Sequence, residues 1–358
     1  MLQPTPVEAE GQSLTEVDPL IGQVLGRRFE IVAPIAVGGM GRVYQAIQRP
    51  LDRLVALKVL SPKADGSRDS AFEDRFFFEA LMTARLRHPN TVMLLDYGRS
   101  DEGIYFMALE LLDGESLQQL LTRTGPMGWP RALAIGAQVA RSLREAHLLG
   151  LVHRDLKPAN IMVQPDGPFG DRVKVLDFGL VAWARNLAEA ARAEAMHAAE
   201  ENMVLGSPLY MAPEQAQNEA DLRSDIYSLG VVLFAAVSGR APFLGKNTFE
   251  ILWKHMYQEP PRLGTIAEVP PDVEALVMKC LAKAPEQRFQ TMDAFLFAVH
   301  QVIRSHDMGG VYVEDSGPLP LAIGDPAPRP AEALPPAQTP TPPPLPTGAA
   351  TRTPPARG

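Results

Sequence analysis

A short stretch in the middle of the chain combines residue types that suit chemistry on a metal-bound phosphate. The eight residues His153–Asn160 contain an acid, a base and an amide, and a second carboxylate, Asp177, follows 22 positions after Asp155. Carboxylate and amide oxygens are the ligands that Mg²⁺ prefers. A carboxylate also accepts the proton of an attacking hydroxyl. These residues therefore predict a site that handles a divalent metal, a phosphate and a hydroxyl proton together.

The order of these residues carries a family resemblance. His153-Arg154-Asp155-Leu156-Lys157-Pro158-Ala159-Asn160 fits the pattern H-R-D-L-K-P-x-N at seven of eight positions, the eighth being free. With each residue type near 5% of usage, the chance of such a match is roughly one in a billion per window. The chain resembles the protein kinases, and most closely the eukaryotic-like Ser/Thr kinases of bacteria, from about Phe29 to Arg304.

This resemblance implies an α+β, bilobal protein kinase fold. A small, mainly antiparallel β N-lobe would carry one αC helix, and the larger C-lobe would be mainly α-helical. The cofactors implied are ATP and Mg²⁺. Asp155 would accept the substrate hydroxyl proton, Asn160 and Asp177 would hold Mg²⁺ on the triphosphate, and Lys157 would steady the γ-phosphate.

A glycine-rich turn lies upstream, between predicted strands at Phe29–Val32 and Gly41–Ala46. Glycine lets backbone N–H groups approach a phosphate without obstruction by Cβ. Taken alone, such a hairpin is more often only a tight turn. The family pattern G-x-G-x-x-G-x-V assigns it to the nucleotide, with Ala36 in place of the first glycine and at most a modest weakening of nucleotide binding. The residues so assigned are Ala36, Val37, Gly38, Gly39, Met40 and Gly41.

A lysine inside an apolar strand predicts an ion pair. Lys58 lies in the run Val55–Leu60, and strand alternation puts it on the same face as Ala56. A charge in such a run is costly unless it is paired, although a snorkelling edge-strand lysine is the better explanation in isolation. Resemblance to the motif V-A-I-K implies that Lys58 holds the α- and β-phosphates and that Glu79 is its partner.

Glu79 falls on a predicted helix that begins at the capping box Ser70–Glu73 and runs to about Leu86. At 100° per residue, Glu79 and Thr83 share one face, which is expected to turn inward. Phe77 would then face solvent. It is either an incidental surface residue or a docking or dimer contact.

The resemblance also implies an adenine pocket, formed where the strand Tyr105–Leu112 enters a linker. Leu109 would guard the back of the pocket, and Glu110 and Leu111 would offer backbone groups to the adenine. The apolar walls would be Val43, Ala56 and Met162.

Several large-lobe residues are expected to support this site. Trp129-Pro130 begins a long amphipathic helix that runs through about His147. By resemblance, Glu214 pairs with a buried Arg288, and Asp225 braces the backbone of the catalytic loop. These contacts would build the platform for a protein substrate.

The segment between Asp177 and Ser207 contains no Ser, Thr or Tyr. Many relatives with an arginine before the catalytic aspartate order this segment by phosphorylation. One hypothesis is that activity needs no loop phosphorylation here, because the charge that Arg154 meets is permanent and comes from Glu194, Glu200 or Glu201. The alternative is a mobile helical insertion, with Arg154 paired elsewhere.

Composition divides the chain into three parts. Residues 1–26 are expected to be a flexible acidic leader, and residues 27–305 the kinase domain, with its N-lobe at about 27–111 and its C-lobe at about 112–305. Residues 306–358 are expected to be a disordered tail, because 14 of the 43 residues from Ser316 to Gly358 are proline. Pro340 to Pro346 is either simply disordered or a ligand for a proline-binding module.

Charge, cysteine content and hydropathy exclude several classes. A formal net charge of −8 indicates no nucleic-acid binding. The single Cys280 excludes an internal disulfide. The longest apolar stretch, Ile226–Val237, is too short to span a membrane, and the first 26 residues lack the Lys or Arg of a secretory signal. The chain is therefore expected in the cytoplasm.

The leading interpretation is a Ser/Thr protein kinase that acts on protein hydroxyls in signalling. The alternative is a pseudokinase-type scaffold that binds partners without catalysis. Only Ala36 favours this alternative. A third interpretation is a small-molecule phosphotransferase on a related fold. The segment Ala212-Pro213-Glu214 and Asp225 argue against it.

Overall fold

The computed structural model describes residues 18–38, 41–60, 77, 80–165, 170–178 and 207–307. They form a β-rich small lobe and a helical large lobe, which confirms the expected α+β kinase fold. The strands are β1 (Val24–Leu25), β2 (Phe29–Gly38), β3 (Gly41–Gln48), β4 (Arg53–Leu60), β5 (Leu94–Arg99), β6 (Tyr105–Glu110), β7 (Glu115–Ser116), β8 (Ile161–Pro165) and β9 (Asp171–Val175). The helices are α1 (Leu117–Thr124), α2 (Trp129–Leu148), α3 (Leu222–Ser238), α4 (Thr248–Tyr257), α5 (Pro271–Cys280) and α6 (Met292–Ser305).

The small lobe is built on one antiparallel sheet with the strand order β1-β2-β3-β4-β6-β5. Alternation along the strands sends one set of side chains to a buried core and the other set to the opposite face. The core side carries ten buried apolar residues, among them Phe29, Tyr44, Leu57 and Phe106. Packing of this core fixes the sheet register and thereby the residues of the opposite face.

The folded part of the small lobe begins earlier than composition indicated. Gly22 N–H donates to the Ile31 carbonyl at 2.8 Å, and Ile31 N–H donates to the Gln23 carbonyl at 2.9 Å. Leu25 of β1 is buried in the sheet core. The expectation of a flexible leader up to residue 26 is therefore wrong for residues 18–26, since a two-residue strand is too short to leave a periodic pattern.

Phe77 does not face solvent. It is half-buried, with ring centroids 6.0 Å from Tyr97 and 6.3 Å from Tyr105. Ala80, one turn along the same helical segment, is fully buried. The prediction of an exposed Phe77 is therefore wrong, because this side of the helix packs on the sheet. The predicted helix start at Ser70–Glu73 and Glu79 itself lie outside the described residues.

The large lobe is organised around α2 and α3. Helix α2 matches its predicted bounds, and Pro130 occupies an early position where its missing N–H costs nothing. Helix α3 is capped by the Asp221 side chain, which accepts from Arg223 N–H, and it ends at Gly239 with φ of 77°. From Ser224 to Val237 every residue of α3 is buried. This buried helix carries Asp225, which contacts the candidate site.

The structure also bears on the predictions about Cys280 and about membrane-spanning helices. Cys280 is fully buried in the core, where burial raises the pKa of its thiol to about 12, so it is a packing residue as predicted. None of the helices in the described ranges is long and apolar enough to cross a membrane. The proline-rich segment of residues 316–358 lies outside the described residues.

Candidate active site

The catalytic-loop carboxylate is held by two neighbours. Lys157 Nζ donates to Asp155 Oδ2 at 2.8 Å. Asn160 Nδ2 donates both to the Asp155 carbonyl at 2.9 Å and to Asp155 Oδ2 at 3.2 Å. Asp155 nevertheless remains half-exposed, so a substrate hydroxyl has access to it. The arrangement suits a base that must keep one orientation while a proton arrives.

Asp177 is brought to this loop by backbone contacts. Leu176 N–H donates to the Asn160 carbonyl at 2.9 Å, and His153 Nε2 donates to the Leu176 carbonyl at 2.9 Å. Asp177 follows directly and has φ of 57°, in the left-handed region that non-glycine residues rarely occupy. A strained conformation next to reactive groups is consistent with a functional site.

Asn160 and Asp177 fit a magnesium ion by chemistry. They offer one amide oxygen and one carboxylate, and the backbone bond from Leu176 to Asn160 brings the two segments together. Mg²⁺ is commonly bound by one or two such groups together with substrate phosphates. Within the described ranges, no group of three or more His, Cys, Asp or Glu is arranged to hold a metal. A cage made entirely of protein ligands is therefore not what these described residues form.

Lys58 reaches the same place from the small lobe. Its Nζ donates to Asp177 Oδ1 at 2.7 Å, and the lysine is only 8% exposed. The prediction that a lysine in this apolar strand needs a carboxylate partner is confirmed, but the partner seen is Asp177. Pairing with Glu79 stays a prediction, because Glu79 is outside the described residues.

The helical segment that would carry Glu79 does contact the site. Thr83 is buried, and its Oγ1 donates to the Phe178 carbonyl at 2.9 Å. The ring of Phe178 in turn packs on His153 at a centroid distance of 4.8 Å. The face that holds Thr83 thus turns inward as predicted, and it touches the residue that follows Asp177.

The sheet register groups the predicted nucleotide residues on one face. Across the antiparallel pairs, Ala36 lies opposite Val43, Val43 opposite Lys58, and Ala56 opposite Leu109. Directly opposed residues share a face. Val43, Ala56 and Leu109 are half-buried rather than buried, unlike the side chains of the sheet core. An apolar surface beside Lys58 is what an adenine ring requires.

The glycine-rich turn is described only at its two roots. Gly38 pairs with Gly41, while Gly39 and Met40 lie outside the described residues. Gly41 has φ of 144°, and a Cβ there would come within 2.2 Å of the Val59 carbonyl oxygen. Val37 is 76% exposed. Close backbone packing therefore requires glycine at position 41, whether or not a phosphate binds.

The last residue of β6 forms an ion pair that sequence analysis missed. Glu110 Oε1 accepts from Lys174 Nζ at 2.5 Å and from Met93 N–H at 2.7 Å. Lys174 lies on β9, three residues before Asp177. The only sequence signal was a lysine inside the apolar strand of β9, the same kind of signal that identified Lys58. Leu111 follows Glu110 and is half-buried, and Met162 is half-buried on β8, two residues after Asn160.

Asp225 braces the catalytic loop as predicted. This carboxylate is fully buried and accepts from His153 N–H at 2.8 Å and from Arg154 N–H at 2.9 Å. His147 Nε2 donates to it as well, at 2.8 Å, a contact that sequence analysis did not anticipate. With three donors, the buried carboxylate is well compensated.

The predicted pair of Glu214 and Arg288 is confirmed. The contact is bidentate, with N–O distances of 2.7 and 2.8 Å. Ser224 Oγ also donates to Glu214 at 2.6 Å. Burial alone would raise the pKa of Glu214, but the bonds from Arg288 and Ser224 outweigh it and hold the pKa below its ordinary value.

The Arg154 side chain is exposed, while its backbone is fixed with φ of 63°. Gln215 Nε2 donates to the Arg154 carbonyl at 2.7 Å and so joins the loop to the segment after Ser207. The glutamates proposed to meet Arg154, namely Glu194, Glu200 and Glu201, lie outside the described residues. That hypothesis stays untested.

Comparisons with known proteins agree with this geometry. A family model described as protein kinase domain matches residues 29–298. The chain is 40% identical over 291 residues to the serine/threonine-protein kinase PknA of Mycobacterium tuberculosis, covering 80% of this chain and 64% of that protein. It is 38% identical over 284 residues to the serine/threonine-protein kinase pkn3 of Myxococcus xanthus, covering 78% and 51%. The chain thus spans about half to two thirds of the length of these curated relatives.

A solved structure gives the same result. The crystal structure of the Mycobacterium tuberculosis PknI kinase domain superposes with a TM-score of 0.59 at 26% identity. The match covers 78% of this chain and 98% of that domain. The similarity therefore extends over most of this chain and nearly all of that kinase domain.

Proposed function

The chain belongs to the protein kinase family, and from this premise we propose that it is a Ser/Thr protein kinase that transfers the γ-phosphate of ATP to protein hydroxyls. The observation that carries the proposal is that Lys157 and Asn160 hold Asp155 at 2.8 to 3.2 Å and Lys58 holds Asp177 at 2.7 Å, while a backbone bond from Leu176 to Asn160 joins the two groups. Asp155, Lys157 and Asn160 come from one loop, Asp177 follows β9, and Lys58 comes from the other lobe.

The proposed roles follow from the charge and access of each group. Asp155 accepts the hydroxyl proton of the substrate, because it is half-exposed and its orientation is fixed by Lys157 and Asn160. Lys157 stabilises negative charge on the transferred phosphate. Asn160 and Asp177 hold Mg²⁺, which neutralises charge on the triphosphate when bound.

Lys58 serves the nucleotide from the small lobe. Its ammonium group lies beside the apolar face of Val43, Ala56 and Leu109, where it would meet the α- and β-phosphates. In the nucleotide-bound state we expect it to share its donors between phosphate and carboxylate. Glu110 and Leu111 would offer their backbone groups to the adenine.

Proposed partners are proteins with Ser or Thr acceptors. Lys157 in the loop resembles the Ser/Thr-specific version, and the buried pair of Glu214 with Arg288 supports a platform for such a substrate. A proline-binding module for Pro340–Pro346 and a cytoplasmic location are proposed from the sequence alone. A dimer contact at Phe77 is not proposed, since that ring packs on Tyr97 and Tyr105.

The test compares the wild-type chain with Asp155→Asn. Both are incubated with Mg²⁺, labelled ATP and a generic basic protein, and phosphate transfer is measured. We expect Asp155→Asn to transfer about 10²- to 10⁴-fold more slowly, as for loss of a general base, while binding Mg·ATP as the wild type does. If the wild type transfers phosphate no faster than Asp155→Asn, the result would favour the scaffold. Ala36 at the first glycine position is the residue that supports that alternative.

A further inference from the structure

One carboxylate contacts the root of the glycine-rich hairpin from outside the stretch that matches the kinase family. Asp18 Oδ2 accepts from Arg42 Nη1 at 2.7 Å and from Tyr44 Oη at 2.8 Å. Its Oδ1 accepts from Leu20 N–H at 3.1 Å, which turns the chain toward β1. The match to the family model begins only at residue 29, so Asp18 lies before the stretch that the model covers.

These contacts hold β3 from the core face of the sheet, opposite to the face that carries Val43 and Lys58. Arg42 and Tyr44 are two residues apart and share one face of the strand, which is the core face that holds Tyr44. Val43, between them, points to the opposite face beside Lys58. Gly41, which closes the glycine-rich turn, directly precedes Arg42. Holding positions 42 and 44 from behind therefore fixes where Val43 and the end of the turn lie.

The pairing of the hairpin is irregular at the point that Asp18 contacts. Tyr44 is paired with Pro34, and the register shifts between Pro34 and Ala36. Proline has no N–H to donate to the ladder. Residues 22 and 23 form backbone hydrogen bonds with Ile31 of β2. Asp18, in the same segment, contacts two side chains of β3 and so links this segment to β3 as well.

The Asp18 carboxylate is suited to a permanent contact. Its side chain is 16% exposed, compared with 74% for Asp101, which pairs with Arg27 in the same lobe. Burial would raise the pKa of Asp18, but hydrogen bonds from Leu20, Tyr44 and Arg42 outweigh it and hold the pKa below its ordinary value. The group is therefore charged at neutral pH.

We propose that Asp18 is a positioning residue for the nucleotide: its carboxylate clamps the back of β3 and so sets Gly41 and Val43 beside the proposed ATP site. This inference rests on the proposed function. It extends the nucleotide site to a residue that touches neither ATP nor the catalytic loop. It also assigns a task to the segment before the common domain, which composition alone marked as a leader.

The experiment uses the full chain with Asp18→Asn and Arg42→Gln, alone and together. Asp101→Asn is the matched control, because it breaks an exposed Asp–Arg pair in the same lobe. Measured quantities are the Kd for Mg·ATP, the KM for ATP, kcat, the KM for the protein substrate, and the Tm without nucleotide.

We expect each clamp variant to weaken Mg·ATP binding by about three- to tenfold, with the same rise in the KM for ATP. The kcat and the KM for the protein substrate should stay within about twofold of wild type, because the catalytic loop is held separately. The double variant should add little to Asp18→Asn alone, since that change already removes the charge that Arg42 meets. The control should bind ATP as wild type does.

A merely structural role predicts a different result. In that case Tm falls while the Kd for Mg·ATP at low temperature equals that of the wild type, and this result would overturn the clamp. If Asp18→Asn fails to fold, Arg42→Gln decides the matter, because Arg42 is half-exposed and its loss disturbs the core least.

The outcomes separate this inference from the proposed function. A wild type that binds Mg·ATP in an Asp18-dependent way but transfers no phosphate would contradict the kinase assignment and leave the clamp standing. If the wild type phosphorylates protein and Asp18→Asn has the same KM for ATP as the wild type, the kinase assignment stands and the clamp is contradicted. A wild type that binds no nucleotide would overturn both.

Discussion

The contacts of Asp225 and of Glu214 with Arg288, which support the large-lobe half of the site, are buried, whereas the small-lobe half depends on contacts that water reaches. Asp225 and the guanidinium of Arg288 are 0% exposed. In the pair of Lys58 with Asp177 the Asp177 side chain is 33% exposed, and in the pair of Asp18 with Arg42 the Arg42 side chain is 49% exposed. Charge interactions are much stronger where solvent is excluded.

This difference separates two kinds of failure. Removing one partner of a buried pair leaves an uncompensated charge and destabilises the fold. Removing one partner of a half-exposed pair costs little stability, because water replaces the lost contact. We therefore expect large-lobe changes to appear first in stability and small-lobe changes first in nucleotide binding and rate.

The largest effect should come from Arg288→Ala. Arg288 donates to both Glu214 oxygens and to the carbonyls of Ala282, Arg223 and Lys283. Its loss leaves a buried carboxylate unpaired, so the free energy of unfolding should fall by about 3–5 kcal/mol. Denaturant titration measures this change.

The matched control for that prediction is Arg123→Ala. Arg123 pairs with Glu115 on the surface, where the guanidinium is 62% exposed, and its loss should leave the denaturation midpoint nearly unchanged. Equal losses for the two variants would contradict the difference between buried and exposed pairs on which the comparison depends.

The next effect is one of rate. Lys58→Met removes the charge that would meet the phosphates and the partner of Asp177. We expect phosphate transfer to slow by about 10²- to 10³-fold, the usual cost of one electrostatic contact to a transition state. The unfolding midpoint should change little, since methionine fits an apolar strand. Transfer assays and thermal unfolding on the same samples test both statements.

Lys254→Met is the control for Lys58→Met. Lys254 lies on α4 and donates to Glu250 and to the Leu244 carbonyl, away from the cleft residues. Its transfer rate should equal that of the wild type. If Lys58→Met unfolds instead of slowing phosphate transfer, the small-lobe half also contributes to stability. That result would contradict the proposed difference between the two lobes.

The sequence predicted the large-lobe half well for a physical reason. The contacts of Asp225, Glu214 and Arg288 are buried, so their residue types and spacing are constrained, and short motifs report them. The catalytic loop is likewise one contiguous run. Here the pattern and the observed geometry agree at the level of individual hydrogen bonds.

The small-lobe half was predicted less completely. Lys58 and Asp177 are 119 positions apart, and no local pattern states that they touch. Helical periodicity placed Phe77 on the solvent side, because the pattern alone does not show that the sheet packs against that side of the helix. Asp18 precedes a two-residue strand, which is too short for periodicity to detect.

The smallest effect is a pH dependence of stability in the large lobe. His255 is buried on α4, donates from Nε2 to the Leu209 carbonyl at 3.1 Å, and accepts from the Tyr227 hydroxyl at 2.8 Å. Burial, with the nearby charge of Lys283, lowers the pKa of His255 to about 4. The unfolded chain takes up this proton near pH 6.5.

Because the pKa of His255 is depressed in the folded state, its contribution to stability is complete above about pH 6.5 and is lost as pH falls toward 4. From pH 7.5 to 5 the free energy of unfolding should drop by about 2 kcal/mol from this residue. The low pKa of Glu214 adds its loss only below about pH 5, where unfolded glutamate is protonated.

Denaturant titrations of the wild type and His255→Gln at both pH values isolate the residue. His88, whose pKa burial also lowers, contributes equally to both chains and cancels in the difference. We expect the variant to be less stable at pH 7.5 and to lose less stability on acidification. Parallel losses would mean that protonated His255 is tolerated, and the large-lobe platform around Leu209 would then be less tightly closed to water than its hydrogen bonds indicate.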